Sequence, residues 1–449
     1  MSHLPSGYTF VSQSEILHLG DQKSSFEMNL LILGSGGREH ALTWKLAQSK
    51  KVDRIFIAPG NAGTSASGTN LKTDPGNFPE IKKAVLEHSI DIVIVGPEAP
   101  LVEGIHDFFL ADKDLRNVPV IGPDKSAARL EGSKDFAKGF LTRHHIPTAA
   151  YRSFDKSSSG EVHSFLKTLS PPYVIKADGL AAGKGVLIIE DVAEAEKEVE
   201  SILNGKFGIA GNKVVIEQFL KGIELSVFII TDGNSYKLLP EAKDYKREGE
   251  GDSGLNTGGM GAVSPVPFAD SIFMEKVQQR IIDPTVKGLA HEGIKYKGFI
   301  FFGLINVKGD PYVIEYNARL GDPESEVIIP RIKSDLFELI EGAAKGDLEK
   351  RSVETDERYA ATVMAVSGGY PGEYPKGKII CGLNDVRDSV VFHAGTQYKD
   401  DEIVTSGGRV LAITSWGNTI KEALAVSYRN LSLIKFDGIY YRGDIGFDL

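Results

Sequence analysis

The segment EYNARLGDPES, residues 315–325, carries polar side chains at a spacing that suits phosphate chemistry. Glu315 and Asn317 stand two apart on a predicted strand, so both side chains project from one face. A carboxylate beside an amide oxygen suits Mg²⁺ that bridges nucleotide phosphates. Arg319 follows on that face if the strand continues, and its guanidinium could grip a transferring phosphoryl group or a substrate carboxylate. A solvated hairpin end, the plain alternative, does not require Asn and Arg in this alternation.

A glycine-rich loop, DGLAAGKG, lies between two predicted strands at residues 178–185. A P-loop needs glycine where Asp178 stands and a hydroxyl where Gly185 stands, so a Walker-type site is excluded. The loop suits a lid over a triphosphate, with Lys176 and Lys184 as point charges against phosphate oxygens. An ordinary hairpin with a surface lysine is the alternative that this cluster alone leaves open.

The segment EQFLKGIE, residues 217–224, follows the next predicted strand. Around Phe219 and Leu220 the backbone could offer an N–H and a C=O to an adenine edge. Glu224 stands where a carboxylate could accept both ribose hydroxyls. Phe219 and Leu220 are also typical core residues, so this motif is weak by itself.

A second glycine cluster, GSGGREHA at residues 34–41, joins a predicted strand to a predicted helix. Backbone N–H groups and the helix dipole at such a junction favour a phosphate. A dinucleotide fingerprint needs a third glycine where Glu39 stands, which disfavours NAD. The second strand also ends Ala58-Pro59-Gly60, without the acidic residue that holds a ribose. The remaining interpretations are a small phosphate, supported by the loop GPEAPL after a later strand, or a tight turn that binds nothing.

The segment DYKREGEGDSGLNTGGMGAVSP, residues 244–265, concentrates charge and then glycine without an apolar period. It is predicted to be a long loop, and such loops are usually functional or disordered. Its NTGGMG portion is typical of backbone arranged around a ligand.

Composition sets limits on what these motifs can belong to. The chain has 449 residues, a net charge of −10, 41% hydrophobic and 25% charged residues, which excludes a disordered or fibrous protein and predicts two to four domains. No apolar run is long enough for a membrane helix, and a pI near 5.6 argues against a nucleic-acid binder. A basic site for a small anionic ligand is still possible. The single Cys381 allows no internal disulfide, fits a reducing compartment, and is predicted to be buried.

The order of elements predicts an α/β and α+β multidomain chain. Residues 1–27 lack signal-peptide features and are predicted to be a leader or tag-like segment outside the fold. Short apolar runs alternating with helices predict a parallel sheet over 28–127. A mixed region at 128–350 follows, with a small lobe at about 148–220 and single helices at 130–145, 270–291 and 324–345. A strand-rich unit is predicted at 351–449.

These motifs in this order resemble the ATP-grasp carboxylate–amine ligases, and within them the phosphoribosylamine–glycine ligases. Besides the motifs above, the resemblance rests on LEGSK, RLGDPESE, GGYPGEYPKGK, HAGT and YYRGDIG, and it covers Met28 to the C-terminus. It implies a pre-ATP-grasp domain, an ATP-grasp core with a mobile lid lobe, and a small C-terminal domain. The implied reaction is ATP-dependent ligation of glycine to 5-phosphoribosylamine through glycyl phosphate, in purine biosynthesis.

The resemblance also implies roles for individual residues. Those implied for ATP are Lys134, Lys176, Lys184, Glu217, Phe219, Leu220 and Glu224. The metal ligands, for Mg²⁺ or Mn²⁺, are Glu315 and Asn317. The catalytic residues are Arg319, Lys176 and Asp244. The substrate-binding residues are Gly36, Gly37, Arg38, Glu39, Pro97, Glu98, Arg247 and Asn256.

Two departures from the family pattern concern the amino-acid site, namely Tyr245 in place of His and Leu255 in place of Pro. They motivate a second hypothesis, an ATP-grasp ligase with another acceptor. A nucleotide-binding protein without turnover and a hydride-transfer enzyme are further alternatives. The expected partners are ATP, glycine and 5-phosphoribosylamine, with neither nucleic acid nor membrane, in a cytoplasmic monomer or weak dimer.

Overall fold

The computed structural model describes residues 27–180 and 185–449. Residues 1–26 of the predicted leader and Lys184 lie outside the described residues. No helix among the described residues combines the length and the apolar character that a membrane span requires.

A parallel sheet opens the fold, with strand order β3-β2-β1-β4-β5. Its strands are β1 (Met28–Gly34), β2 (Val52–Pro59), β3 (Thr69–Asn70), β4 (Ile92–Val95) and β5 (Val120–Ile121). The helices of this region are α1 (Gly37–Leu46), α2 (Phe78–Glu87), α3 (Glu98–Glu103) and α4 (Ile105–Ala111). The strands are continuous apolar runs because helices or later elements cover both of their faces.

Two helices lead out of this sheet into a small lobe. They are α5 (Lys125–Gly132) and α6 (Lys134–Arg143). The lobe contains an antiparallel sheet of order β6-β9-β7-β8. Its elements are β6 (Tyr151–Asp155), α7 (Val162–Leu166), β7 (Tyr173–Ala177), β8 (Val186–Ile189), α8 (Val192–Ser201), which continues as a π-helical turn at Ile202–Lys206, and β9 (Lys213–Gln218).

The largest sheet is antiparallel, with order β16-β15-β10-β11-β14-β17-β21-β18, and β22 pairs with β17. Its strands up to residue 350 are β10 (Ile223–Thr231), β11 (Tyr236–Asp244), β14 (Gly261–Ser264), β15 (Gly298–Val307) and β16 (Asp310–Asn317). Its later strands are β17 (Tyr359–Ser367), β18 (Ser389–His393), β21 (Arg409–Gly417) and β22 (Ile439–Tyr440). The β14–β17 pairing therefore joins strands from both sides of residue 350.

The remaining elements pack on or beside this sheet. The helices are α9 (Ser271–Val277), α10 (Asp283–His291), α11 (Ser325–Arg331), α12 (Leu336–Lys345) and α13 (Ile420–Leu431), with a π-helical turn at Gln278–Ile282 between α9 and α10. Two hairpins complete the fold, formed by β12 (Arg247–Gly249) with β13 (Ser253–Asn256), and by β19 (Thr396–Lys399) with β20 (Glu402–Thr405). Short 3-10 turns lie at Thr64–Ala66, Ser159–Glu161, Gly208–Gly211, Glu250–Asp252, Leu348–Lys350 and Leu383–Asp385.

The fold class is confirmed, whereas several local predictions are wrong. The predicted helix over 130–145 is two helices, because the Ser133 side chain caps α6 by accepting from the Phe136 N–H. The helix over 324–345 is likewise divided into α11 and α12. The predicted long loop at 244–265 contains the β12–β13 hairpin and β14. Cys381 is exposed rather than buried.

Candidate active site

Two loops of the parallel sheet lie side by side where the strand order reverses. β1 ends at Gly34 and β4 ends at Val95, and the two strands are parallel neighbours. Gly36 and Gly37 therefore lie next to Pro97 and Glu98 at the carboxyl edge of the sheet. Ligands of open α/β sheets bind at this position, so the structure brings these predicted substrate residues together.

Glu39 fills the cradle that the first glycine cluster forms. Its carboxylate accepts from the Gly36 N–H and from Nε of Arg38, at 2.6 Å in the second case. A Cβ on Gly34 would lie 2.6 Å from Cδ of Glu39, and one on Gly96 would lie 1.9 Å from its Oε1. Glu39 thus stands where a dinucleotide fingerprint has its third glycine, and its side chain fills the space between Gly34 and Gly96.

A second set of buried charges supports this loop from the other side. Asp322 accepts from the Arg38 N–H at 3.4 Å and pairs with Nη2 of Arg409, on β21, at 3.0 Å. A Cβ on Gly37 would lie 2.1 Å from Oε1 of the fully buried Glu326. Burial, reinforced by Asp322, raises the pKa of Glu326. Burial alone would also raise the pKa of Asp322, but Arg409 and Arg38 lower it.

Arg319 lies between the parallel sheet and the large sheet. Nη2 contacts Oε1 of Glu131 at 2.9 Å, and the nearest distance from Nε to Glu98 is longer, at 3.5 Å. Glu131 also accepts from the Ala318 N–H at 2.8 Å. Nε of Arg319 is buried and has no hydrogen bond within the described part of the chain. A guanidinium held closely by Glu131 and only at a longer distance by Glu98 is suited to receive an anionic substrate oxygen at Nε.

Charge and burial act in opposite directions on the two carboxylates beside Arg319. Burial raises the pKa of Glu131 in spite of the guanidinium. Burial would also raise the pKa of Glu98, but Arg319, the backbone at the start of α3 and Arg38 together lower it. Glu98 is therefore ionised near neutral pH, at the edge of the pocket formed by the loop residues 36–37.

Glu315 and Asn317 lie at the end of β16, two residues before Arg319. In the register, Glu315 stands opposite Gly303 and Asn317 opposite Phe301 on β15. A Cβ on Gly303 would approach Cγ of Glu315 to 2.8 Å, so glycine leaves room for this carboxylate. Both residues are half-buried, and across residues 27–180 and 185–449 no hydrogen bond to either side chain is formed.

This donor set fits a divalent cation that keeps several waters. The described residues contain no cluster of three or more His, Cys, Asp or Glu side chains that could hold a metal. Two protein oxygens are compatible with Mg²⁺, since nucleotide phosphates and water complete its coordination. The strand ends at Asn317, so Arg319 follows the strand, and the condition for its sharing the face of Glu315 and Asn317 is not met.

On the lid side, Glu217 joins two buried lysines. Lys176 Nζ lies 2.9 Å from one carboxylate oxygen, and Lys138 Nζ lies 2.8 Å from the other. Lys176 also donates to the carbonyl of Ile314 at 3.2 Å, which links the lobe to β16. Burial, opposed in part by Glu217, lowers the pKa of Lys138 to about 8. Lys138 is thus a member of this cluster that the sequence analysis missed.

The other residues predicted for the nucleotide lie on α6, just after β9, and on β10. Lys134, the first residue of α6, donates to the carbonyl of Gly179 at 3.1 Å, and burial lowers its pKa. Phe219 and Leu220 are partly buried just after β9. Glu224 pairs with Lys246 at 3.1 Å, and Lys246 lowers its pKa.

Asp244, the last residue of β11, interacts electrostatically with Lys246, Glu224 and Glu315. Burial raises its pKa, with Lys246 opposing and Glu224 adding to the rise. Burial and Asp244 also raise the pKa of Glu324 to about 7. Lys246 is thus the cation among these acidic groups, a role that the motif DYKR contained but the sequence analysis did not assign.

Arg247 and Asn256 face each other across the β12–β13 hairpin. The Arg247 guanidinium donates to the Gly254 carbonyl within that hairpin, at 2.9 Å. Asn256 and Leu255 are exposed. The structure therefore brings Arg247 and Asn256 together, next to Lys246 in the chain, while their predicted contact with a substrate stays a prediction.

Sequence profiles of one family match most of the chain. They are described as the phosphoribosylglycinamide synthetase N domain at residues 28–131, the ATP-grasp (A) domain at 132–325, and the C domain at 360–448.

Curated relatives and solved structures agree with that match. A phosphoribosylamine–glycine ligase of Caldanaerobacter subterraneus is 44% identical over 93% of this chain and 99% of its own length. One from Escherichia coli O157:H7 is 46% identical over 93% of this chain and 98% of its own. The crystal structure of the Thermotoga maritima phosphoribosylamine–glycine ligase has 38% identity and a TM-score of 0.80, covering 93% of this chain and 99% of that one. A biotin carboxylase domain from Hydrogenobacter thermophilus, at 17% identity and a TM-score of 0.69 over 92% and 91%, shares the fold.

Proposed function

The chain belongs to the phosphoribosylglycinamide synthetase family, and from this premise we propose that it ligates glycine to 5-phosphoribosylamine at the expense of ATP. The products are glycinamide ribonucleotide, ADP and phosphate. The reaction forms a C–N bond and belongs to purine biosynthesis. The sequence-based prediction of the same reaction came from the family resemblance that the motifs carry.

The first step activates glycine. A carboxylate does not react with an amine at neutral pH, so a glycine carboxylate oxygen attacks the γ-phosphorus of ATP, and the bond from that phosphorus to ADP breaks. Charge on the transferring phosphoryl group must be stabilised. Lys134 and Lys176 lie on the side of the lobe, and Nε of Arg319, 3.5 Å from Glu98 and without a hydrogen bond among the described residues, lies on the side of the parallel sheet. Glycyl phosphate is the product of this step.

The second step forms the amide. The nitrogen of 5-phosphoribosylamine attacks the acyl carbon, a C–N bond forms, and the C–O bond to phosphate breaks while the nitrogen loses a proton. Glu98 at the edge of the parallel sheet is the ionised group nearest to Arg319 on the acceptor side. Because acyl phosphates hydrolyse, the lobe over the nucleotide must exclude water as well as hold the reactants.

Glu315 and Asn317 would hold the divalent cation, Mg²⁺ or Mn²⁺. When bound, that ion supplies positive charge that neutralises the nucleotide phosphates. The absence of competing hydrogen bonds to both side chains, across the described residues, supports this assignment.

One observation carries the proposal. Arg319 connects Glu98, from the loop beside the sheet's switch point, to the strand that carries Glu315 and Asn317. A guanidinium between an acceptor pocket and a metal-nucleotide strand is where an acyl phosphate must be stabilised before the amine attacks it.

The direct test is a product assay with ATP, Mg²⁺, glycine and freshly prepared 5-phosphoribosylamine. We expect ADP and glycinamide ribonucleotide in equal amounts, with no ADP when glycine is omitted. ADP formation that is indifferent to glycine would contradict the proposal. A panel of other amino acids and amines in the same assay reveals any different acceptor.

Two finer points belong to the same proposal. We place the enzyme in the cytoplasm, because a single cysteine that cannot pair internally suits a reducing compartment. We also expect a monomer or weak dimer, which sedimentation at several protein concentrations measures directly.

A further inference from the structure

The last residues of the chain pack against the β12–β13 hairpin. We call residues 439–449 the tail segment and residues 247–256 the substrate hairpin. The four residues of β13 are all exposed, and the tip of the hairpin has Asp252 at φ 54°. A two-stranded hairpin without a buried face is only marginally stable by itself, so its position depends on its contacts with the rest of the chain.

Arg442 of the tail segment makes the central contact. Its side chain is fully buried. Nη1 lies 2.7 Å from Oδ1 of Asp252 and donates to the carbonyl of Arg247 at 3.1 Å. The other side of the guanidinium forms a two-point contact with Asp444, at 2.7 and 2.8 Å. One rigid fork thus contacts the first residue of β12, the turn between β12 and β13, and the tail segment itself.

Three hydrogen bonds surround this contact. The Gly251 N–H donates to Asp444 at 2.7 Å, and the Gly443 N–H donates to Glu250 at 3.1 Å. The Tyr440 hydroxyl donates to the carbonyl of Glu248 at 2.8 Å. Both the backbone and the side chains of the hairpin are therefore tied to the tail segment.

The tail segment also contacts Tyr245, which lies two residues before the hairpin. The Tyr245 hydroxyl donates to Asp448 at 2.9 Å, and Lys243 pairs with the same carboxylate at 3.1 Å. Tyr245 is almost fully buried, whereas its neighbour Asp244 interacts with Lys246 and Glu224. The Tyr that departs from the family pattern is thus anchored to the tail.

We propose that Arg442 is a positioning residue for the amino-acid substrate: through Asp252 and Arg247 it fixes the hairpin that follows Asp244 and Lys246. This inference rests on the proposed function, because the hairpin's position affects the kinetics only if glycine binds beside it. Arg442 contacts Asp252 and the Arg247 carbonyl, whereas the neighbouring pair of Lys246 with Glu224, on the ATP side, is formed without Arg442. Loosening the Arg442 contact should therefore weaken glycine binding without a matching change for ATP.

The test uses Asp252→Asn in the full chain. Asn keeps the side-chain size and tolerates positive φ, but it removes the charge that faces Arg442. Asp388→Asn is the matched control, because Asp388 also has positive φ, at 61°, and pairs with an arginine, Arg429, far from the hairpin in sequence. Asp252 is 44% exposed, so its substitution leaves the core intact.

We expect the KM for glycine to rise about tenfold in Asp252→Asn, the equivalent of one charge-assisted contact. The KM for ATP and the unfolding midpoint should stay at the values of Asp388→Asn. Hydrogen exchange of the amides at 247–256 should accelerate in Asp252→Asn alone. Arg442→Lys, which keeps the charge without the fork, should give an intermediate KM for glycine.

The outcomes separate the two ideas. A wild-type chain that forms ADP without regard to glycine overturns the proposed function. A wild-type chain that uses glycine, together with an Asp252→Asn variant whose glycine KM and hairpin exchange match the control, overturns the role of Arg442 alone.

Discussion

The loop after β1 and the end of β16 both bring polar groups to one cleft, but their side chains are partnered in opposite ways. In the loop, Glu39 accepts from Gly36 and Arg38, and Asp322 beside it is held by Arg409. On β16, Glu315 and Asn317 receive no hydrogen bond from the described residues. Paired groups build a rigid frame, whereas unpaired oxygens are placed for a ligand.

Arg319 is held by Glu131 but also has an Nε without a hydrogen bond among the described residues. Removal of its side chain should therefore have the largest effect on turnover. We expect Arg319→Ala to lower kcat about a thousandfold, the range seen when a preorganised charge donor is lost from an active site. The dissociation constant for ATP should change much less. Stopped-time product assays and nucleotide titration measure the two quantities, and an unchanged rate would show that Arg319 does not face the reacting phosphoryl group.

Glu315→Gln tests the unpaired side of the comparison. It should reduce turnover about a hundredfold at low Mg²⁺, with partial recovery as the metal concentration rises, because a charged ligand is replaced by a neutral one. Denaturant unfolding without metal should give the wild-type stability, since this carboxylate bonds nothing in the frame. A large loss of stability would show that Glu315 has a structural role instead.

Glu39→Gln tests the paired side. The new NH₂ group must face either the Gly36 N–H or the Arg38 guanidinium, and both of these are donors. A buried donor without an acceptor costs about 1–3 kcal/mol, so the free energy of unfolding should fall by that amount. Glu354→Gln, at a 70% exposed side chain, is the control that should leave stability unchanged.

The buried pair of His40 and His393 joins α1 to the C-terminal strand β18, and it tests whether this contact contributes to stability. Nδ1 of His40 accepts from the His393 N–H at 2.8 Å, and burial lowers the pKa of His40 to about 3 and of His393 to about 4. Below pH 6.5 the unfolded chain binds these protons and the folded chain does not, so stability falls as pH drops from 6.5 towards 4. We expect a loss of roughly 2 kcal/mol per histidine at pH 5.

His393→Gln should remove one of these two contributions. Denaturant unfolding at pH 7 and pH 5 would then show a smaller difference than in the wild-type chain. An equal difference would mean that His393 titrates alike in both states.

The sequence predicted the helices and strands better than the long-range contacts between side chains. Apolar runs identify β1, β4 and β15 because full burial leaves a continuous pattern. Glu131 and Arg409 were missed because each acts through a residue distant in the chain, namely Ala318, 187 positions away, and Asp322, 87 positions away. Glu131 stands in the motif LEGSK, and Asp322, the partner of Arg409, stands in RLGDPESE, so both motifs were signals without an assigned partner.

The errors have local causes as well. A continuous helix was predicted across Ser133 because its neighbours favour helix, yet its Oγ caps α6 and reaches Asp178 at 3.0 Å. The hairpin at 247–256 has no apolar alternation, since the contacts that hold it come from Arg442, Asp444 and Tyr440. Periodicity cannot reveal a strand pair that is stabilised from outside.

During synthesis the edge of β14 has no neighbour on its far side until Tyr359–Ser367 has left the ribosome, because β17 is the strand that pairs there. The hairpin beside Asp244 waits longer still, because Arg442 follows Asp252 by 190 positions in the chain. A nascent chain can therefore form its nucleotide-side lobe early, whereas the amino-acid side is assembled only after residues far downstream of it have been synthesised.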